Sequence, residues 1–196
     1  MSELSLLDPT PEDATVTHVR ASLLRGLHKD LLRRGGEAAW AAFVDGLSPE
    51  GQQVFREMPG AFAWLETARV NEIVTAHGAM AGEAGAVDRI RSTAEEQLTV
   101  AHAWLLKLLS PTTLIHQGPT LFRFNYRGGV VKLDDVAPGC AHLSIWARGL
   151  FPEWYTHSVP QWLNRALELC GGGACSVVHL PPDAGDRHRY ELRWEP

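Results

Sequence analysis

The spacing of hydrophobic residues divides this chain into a helical first half and a strand-rich remainder. Up to about residue 109, apolar residues recur every three or four positions, which is typical of helices with one buried face. Glycine and proline residues interrupt this pattern and mark the ends of the helices. The pattern predicts helices over 11–34, 37–47, 49–58, 62–80 and 86–109. Residues 1–10 read as a flexible lead-in, so we expect a single domain over 11–196.

Beyond residue 120 the hydrophobic period shortens to two. Phe122, Phe124 and Tyr126 alternate with polar residues, which predicts a strand with one buried face. Further strands are predicted over 130–136, 141–147, 175–180 and 188–194, with a helix over 152–170 that Pro160 should kink or divide. The order βββαββ behind a helical N-terminal half predicts an α+β domain, with the helices packed on an antiparallel sheet.

Composition and charge narrow the classes of function. The formal net charge is -5, which argues against nucleic acid as a partner because phosphate binding needs clustered lysine and arginine. No apolar run approaches the roughly 18 residues that a membrane-spanning helix needs, so we expect a cytoplasmic protein. The three cysteines, Cys140, Cys170 and Cys175, contain no CxxC pair and predict reduced thiols rather than a disulfide framework.

Catalytic motifs are not evident in the chain. There is no Gly-x-Ser-x-Gly nucleophile motif, and the carboxylates Asp134 and Asp135 should point to opposite faces of a strand. The glycines at 171–173 follow a helix and precede a strand, which is the reverse of a phosphate-binding loop. The sequence therefore predicts a protein that is not an enzyme.

A metal or heme site has only weak support. The last loop is flanked by four residues that could supply nitrogen or oxygen ligands, but they lack the compact spacing of a closed zinc site. These weak candidates are His179, Asp183, Asp186 and His188. A heme would need an axial ligand in an apolar helical pocket, for which His102 and His77 are the plausible residues. Because a lone histidine in such a helix is more often a packed core residue, we expect no metal and no cofactor.

Aromatic residues offer the remaining candidates for a binding site. The chain has seven tryptophans, and several fall where helices should meet the sheet. A ligand pocket at that junction would use Trp104, Phe122, Phe124, Trp146, Tyr155 and Trp162, although core packing explains the same residues. A second possibility is an exposed partner surface formed by Trp146, Phe151 and Trp154, provided that the protein's own helices do not cover it.

Four segments resemble a bacterial family of uncharacterised domains that is heavily paralogous in myxobacteria. They are AWLLKLLSPTT at 103–113, FRFNYRGG at 122–129, WLNRALELCGG at 162–172 and YELRW at 190–194. That family is distantly similar to vinyl reductase domains, heme-NO-binding-related sensors and TRAPP-like trafficking subunits. The resemblance implies a helical layer against an antiparallel sheet. Vinyl-reductase-type domains often carry a zinc-binding cysteine pair around the last hairpin, and here that loop has none.

Two main hypotheses follow. The first is a non-enzymatic sensory or regulatory module in signalling, which binds a small apolar ligand or a protein partner where helices meet the sheet. The alternative is a homodimeric interaction or scaffold protein without a pocket, as the TRAPP-like resemblance implies. A reductase-type enzyme rests on the resemblance alone, because no nucleotide-binding loop supports it.

Overall fold

The structure is a computed structural model that describes residues 14–57, 59–100, 106, 109–181 and 186–195. For some residues of the two longest helices, only the backbone is described. The lead-in predicted for residues 1–10 and the candidates His102, Trp104 and Asp183 lie outside the described residues.

Helices dominate the first part of the chain and alternate with strands afterwards. The helices are α1 (Ser22–Asp45), α2 (Pro49–Glu57), α3 (Thr67–Val100), α4 (Pro111–His116), α5 (Gly118–Asn125) and α6 (Val159–Leu169), and a π-helical segment (Trp154–Ser158) leads into α6. None of the described helices combines the length and the apolar character that crossing a membrane requires.

The strands form two antiparallel sheets. The strands are β1 (His18–Arg20), β2 (Trp64–Glu66), β3 (Tyr126–Arg127), β4 (Val130–Ala137), β5 (Cys140–Trp146), β6 (Ser176–Leu180) and β7 (His188–Arg193). A small sheet has the order β2-β1-β3, and a larger one has the order β4-β5-β7-β6. The strands from β3 onward follow the predicted order βββαββ, and the α+β class is confirmed.

The inner face of the larger sheet is apolar and faces the helical layer. In β5 the inner residues are Ala141, Leu143 and Ile145, and the register places Leu143 opposite Tyr190 of β7. Tyr190 and Leu192 are completely buried. The π-helical segment and α6 cover this face, and α3 packs against both of them, so the main core lies between the two layers.

Two predicted helices begin later than the sequence indicates. Residues 18–20 form β1 and residues 64–66 form β2, where helical spacing had predicted helix. Val19 is buried at the centre of the small sheet, paired with Leu65 on one side and Tyr126 on the other. Backbone pairing between distant segments therefore overrides the local hydrophobic period here.

The strand predicted at Phe122 is wrong. The segment Gly118–Asn125 is a helix with Pro119 in its first turn, where proline is tolerated because no intrahelical donor is lost. Phe122 and Tyr126 stand four positions apart, a spacing that suits one face of a helix as well as alternate positions of a strand. A short apolar run is ambiguous in this way, and the strand begins only at Tyr126.

The helix breaks lie where glycines and Pro160 predict them. Gly36 has φ 63° inside α1 and Gly82 has φ 69° inside α3, so each helix is interrupted there. These are left-handed backbone conformations that glycine adopts without a Cβ clash. Pro160 stands in the first turn of α6, directly after the π-helical segment, which divides the predicted 152–170 helix in two.

A buried ionic cluster joins α1 to α3. The Asp30 side chain is fully buried, and its two carboxylate oxygens accept hydrogen bonds from Arg33 at 2.6 Å and Arg34 at 2.7 Å. The Nε2 atom of His77, a residue that is also fully buried, lies 3.2 Å from Oδ2 of Asp30. Burial alone would raise the pKa of Asp30, but the hydrogen bonds from Arg34 and Arg33 outweigh it and the pKa is lowered.

Removal of the Asp30 carboxylate is therefore expected to destabilise the fold. Asp30→Ala leaves His77 and two arginines without their common partner, and breaking a buried ion pair in this way costs about 3 kcal/mol. The free energy of unfolding from urea titration measures this loss. The matched control is Asp45→Ala at the exposed end of α1, which should change stability by less than about 0.5 kcal/mol. Equal effects of the two substitutions would contradict the account.

Candidate functional site

A cavity of about 110 Å³ lies between the helical layer and the inner face of the larger sheet. Its walls come from α1, α3, α5, the π-helical segment and α6 on one side, and from β4 and β5 on the other. The apolar lining residues are Leu23, Ile90, Ala94, Leu121, Phe122, Val131, Leu143, Ile145, Phe151, Trp154, Val159, Trp162 and Leu163. Gly118, Asn125, Tyr126 and Ser158 complete the described lining. None of these described residues carries a charge at neutral pH.

Three aromatic rings form one corner of the cavity, which we call the aromatic corner: Phe122, Tyr126 and Trp154. Phe122 and Tyr126 are stacked with ring centroids 4.7 Å apart. Trp154 meets Tyr126 edge-on at 5.4 Å and Phe122 at 6.2 Å. Gly129, which has φ 75°, packs against this corner, and a Cβ on it would lie 2.9 Å from the Phe122 ring. The corner therefore requires glycine in the turn after β3.

The aromatic corner contains one internal hydrogen bond. The indole Nε1–H of Trp154 donates to the hydroxyl oxygen of Tyr126 at 2.8 Å. Burial raises the pKa of Tyr126 to about 12, and the hydrogen bond from Trp154 offsets this only in part, so the hydroxyl stays protonated. Of the other polar lining groups, the Asn125 amide donates to the backbone carbonyl of Leu121 at 3.0 Å.

The structure brings some of the predicted pocket residues together. Phe122 and Trp162 line the cavity. Tyr155 is buried behind the aromatic corner, where its ring meets Trp154 at 5.0 Å and its hydroxyl donates to the carbonyl of Ala147 at 2.5 Å. Trp104 lies outside the described residues, so its place in the pocket stays a prediction.

Phe124 and Trp146 lie away from this cavity. Because α5 is a helix, Phe124 points away from Phe122; it is 39% exposed and contacts Phe62, which is 60% exposed. Trp146 stands on the outer face of β5, where the Arg187 guanidinium lies 5.5 Å from its ring centroid. The alternation along β5 turns Trp146 away from the inner residue Ile145.

The predicted partner surface is not an exposed surface. Phe151 is 5% exposed and Trp154 is 3% exposed, because the loop after β5 folds them into the core between the layers. Only Trp146 of that group is partly exposed. Among the described residues, the aromatic side chains with the largest exposed fractions are Phe62 and Phe124, which lie elsewhere.

Sequence reasoning did not select Tyr126, Val131 and Leu163 as lining residues. The i, i+4 spacing from Phe122 to Tyr126 could have found the first of them if α5 had been recognised as a helix. Val131 and Leu163 carry no distinguishing signal, because branched aliphatic residues on a strand or helix are ordinary core residues.

The predicted metal candidates form a histidine pair instead of a ligand cluster. His179 Nε2 and His188 Nδ1 lie 3.0 Å apart across β6 and β7. The His188 ring stacks on Tyr155 at 3.7 Å, and the His179 ring stacks on Tyr190 at 4.9 Å. Asp186 is engaged by Arg148 at 2.6 Å. Among the described residues there is no group of three side chains that could hold a metal ion.

Comparisons with known proteins identify the fold. No family profile matches the chain, and no curated protein is recognisably similar in sequence. The Fe(II) unliganded H-NOX protein from K. algicida superimposes with TM-score 0.70 and 8% identity, over 90% of this chain and 97% of that chain. The H-NOX protein from S. oneidensis in the Fe(II)NO state gives TM-score 0.65 and 9% identity, over 90% and 99%.

An oxygen-binding H-NOX domain related to soluble guanylate cyclases, in its oxygen complex, gives TM-score 0.56 and 8% identity, over 90% of this chain and 95% of that chain. At such identities the likeness shows the fold alone. The resemblance to heme-NO-binding-related sensors is thus confirmed at the level of the fold.

The described residues do not fit a heme. Those that line the cavity include no histidine, cysteine or methionine that could ligate iron. The one tyrosine, Tyr126, is ill suited to bind iron as a phenolate, because its oxygen accepts from Trp154 and burial raises its pKa to about 12. The cavity is smaller than the roughly 150 Å³ cavity that admits benzene, and a porphyrin is several times larger than benzene. His77 is occupied by Asp30 and does not line the cavity. His102 lies outside the described residues.

The histidine pair is expected to make stability depend on pH. Burial lowers the pKa of His179; it also lowers that of His188, which proximity to His179 lowers further and Asp186 partly restores. A histidine with a lowered pKa in the folded state binds its proton more readily when unfolded. The contribution of the histidine pair to the free energy of unfolding should therefore be fully present above pH 6.5, the usual pKa of histidine, and should decline as the pH falls below that value.

Urea unfolding at pH 7.5 and pH 5.5 measures this dependence. His179→Gln removes one partner and should reduce the difference between the two pH values. His116→Gln, at an exposed position, serves as the matched control and should leave the difference unchanged. An undiminished difference in His179→Gln would show that the pair is not its source.

Proposed function

We propose that this protein is a non-enzymatic sensory module that binds a small, uncharged, predominantly apolar ligand in the cavity between its helical layer and its sheet. The observation that supports this most strongly is the cavity itself, an apolar space with one polar corner. Ligand sites are commonly concave and apolar with a few placed polar groups. At about 110 Å³ this one suits a ligand of few heavy atoms.

The placement of the cavity supports a sensory role over simple storage. Trp154 and Ser158 reach it from the two ends of the π-helical segment, whereas Val131 and Ile145 reach it from the sheet. Single π-helical turns are costly to keep and occur often at functional sites. A ligand that favours one packing of this segment against the sheet would shift the population toward that packing.

The H-NOX neighbours support a sensory role by shared fold alone. The heme, NO and oxygen named for those structures belong to those proteins, and the described cavity residues include no histidine, cysteine or methionine. In this chain the ligand therefore lies directly among the apolar side chains of the cavity.

Thermal unfolding with a panel of small neutral compounds tests the proposal. A compound present at a hundred times its Kd should stabilise the fold by about 2.7 kcal/mol, which raises the melting temperature by several degrees. Ala94→Leu extends a side chain into the cavity and should abolish this shift. Ala79→Leu makes the same change at an exposed position of α3 and should retain it.

Two results would contradict the proposal. One is the absence of stabilisation by every compound class. The other is stabilisation that survives Ala94→Leu, which would place the binding site elsewhere. A Soret band that forms on addition of one equivalent of hemin and disappears in His102→Ala would replace the proposed ligand with heme.

The second candidate function is a homodimeric scaffold without a pocket. The comparisons do not show the TRAPP-like resemblance, and the predicted surface of Trp146, Phe151 and Trp154 is lost because Phe151 and Trp154 are buried. The remaining support for a scaffold is the exposed pair Phe62 and Phe124, whose rings lie 6.0 Å apart. The thermal-shift panel separates the two functions, because a scaffold without a pocket gains no stability from small compounds.

A further inference from the structure

We infer that the ligand carries one hydrogen-bond-accepting oxygen, as in a small ketone, aldehyde, ester or ether, and that the Tyr126 hydroxyl donates to it. This inference rests on the proposed function, because it names the chemical class that the cavity takes.

The hydrogen bond within the aromatic corner leaves the Tyr126 proton free for another partner. An indole N–H only donates, so the Tyr126 oxygen must accept from Trp154 at 2.8 Å. The phenol proton therefore points elsewhere. Among the described residues, the Tyr126 hydroxyl donates no hydrogen bond.

The other two tyrosines show how this chain normally uses a phenol. Tyr155 donates its proton to the carbonyl of Ala147 at 2.5 Å, and Tyr190 donates to the carbonyl of Tyr155 at 3.0 Å. Both are buried and neither lines the cavity. Tyr126 alone of the three lines it, and it alone lacks a backbone acceptor among the described residues.

An acceptor in the ligand would satisfy this donor. A fully buried donor without a partner costs about 1–3 kcal/mol. Tyr126 is partly buried, so a ligand that encloses its hydroxyl in the cavity is favoured when it supplies the acceptor. The described lining has no cation, which disfavours carboxylates and phosphates, and no carboxylate, which disfavours amines. A small neutral molecule with one acceptor oxygen on an apolar skeleton supplies the acceptor and carries no charge into the cavity.

Cyclopentanone and methylenecyclopentane form a matched pair of probes, because the second has a CH₂ group of similar shape in place of the carbonyl oxygen of the first. Affinities come from thermal-shift titration. The wild-type protein should bind cyclopentanone about three- to tenfold more tightly than methylenecyclopentane, as expected for one net hydrogen bond. Tyr126→Phe should lose this preference while still binding the hydrocarbon. Tyr155→Phe is the control and should keep the preference.

A second readout does not depend on any variant. The infrared carbonyl stretch of cyclopentanone bound to the wild-type protein should fall below its value in an apolar solvent, as a hydrogen-bonded carbonyl does. A stretch at the apolar-solvent value, or equal affinities for the two probes in wild type, would overturn the inference while leaving the pocket intact. Failure of both probes to bind would count against the proposed function itself.

Discussion

The hydrogen bond from Trp154 to Tyr126 joins the helical layer to the small sheet beside the cavity. Trp154 begins the π-helical segment that leads into α6, and Tyr126 begins β3 at the end of α5. The inner face of the larger sheet is too apolar to face water and must be covered by helices. Trp154 is one of the residues of that cover, and the cavity lies beside its bond to Tyr126.

The same contact connects the cavity to both sheets. Tyr126 pairs with Val19 in the small sheet, and its neighbour Arg127 places its guanidinium 4.6 Å from the Trp64 ring. Trp154 is adjacent to Tyr155, whose ring stacks on His188 of the larger sheet. A ligand that moves the aromatic corner would therefore act on side chains of both sheets. Under the proposed sensory function, this contiguity would carry the effect of a bound ligand from the cavity to the small sheet.

Sequence patterning predicted the fold class and the order of the C-terminal strands, because long amphipathic helices and alternating strands carry strong periodic signals. It failed at Val19, where pairing with distant strands overrides the helical period, and at Phe122, where a short apolar run fits either period. The residues of the candidate site were harder to predict from the sequence. Phe122 and Trp162 were found because large aromatics are informative. Phe151 and Trp154 were considered for an exposed surface because burial by the chain's own loops has no local signature. The role of Tyr126 depends on a partner 28 residues away and could not be read from spacing.

The most direct test of the account is a methyl NMR titration of the wild-type protein with cyclopentanone. The account predicts saturable shifts of methyl groups on the cavity wall, at Val131, Ile145 and Leu163. It also predicts that Val70 and Ile73, which are buried in the core away from the cavity, do not shift. Shifts confined to residues outside the cavity wall, or no saturable shift at all, would contradict it.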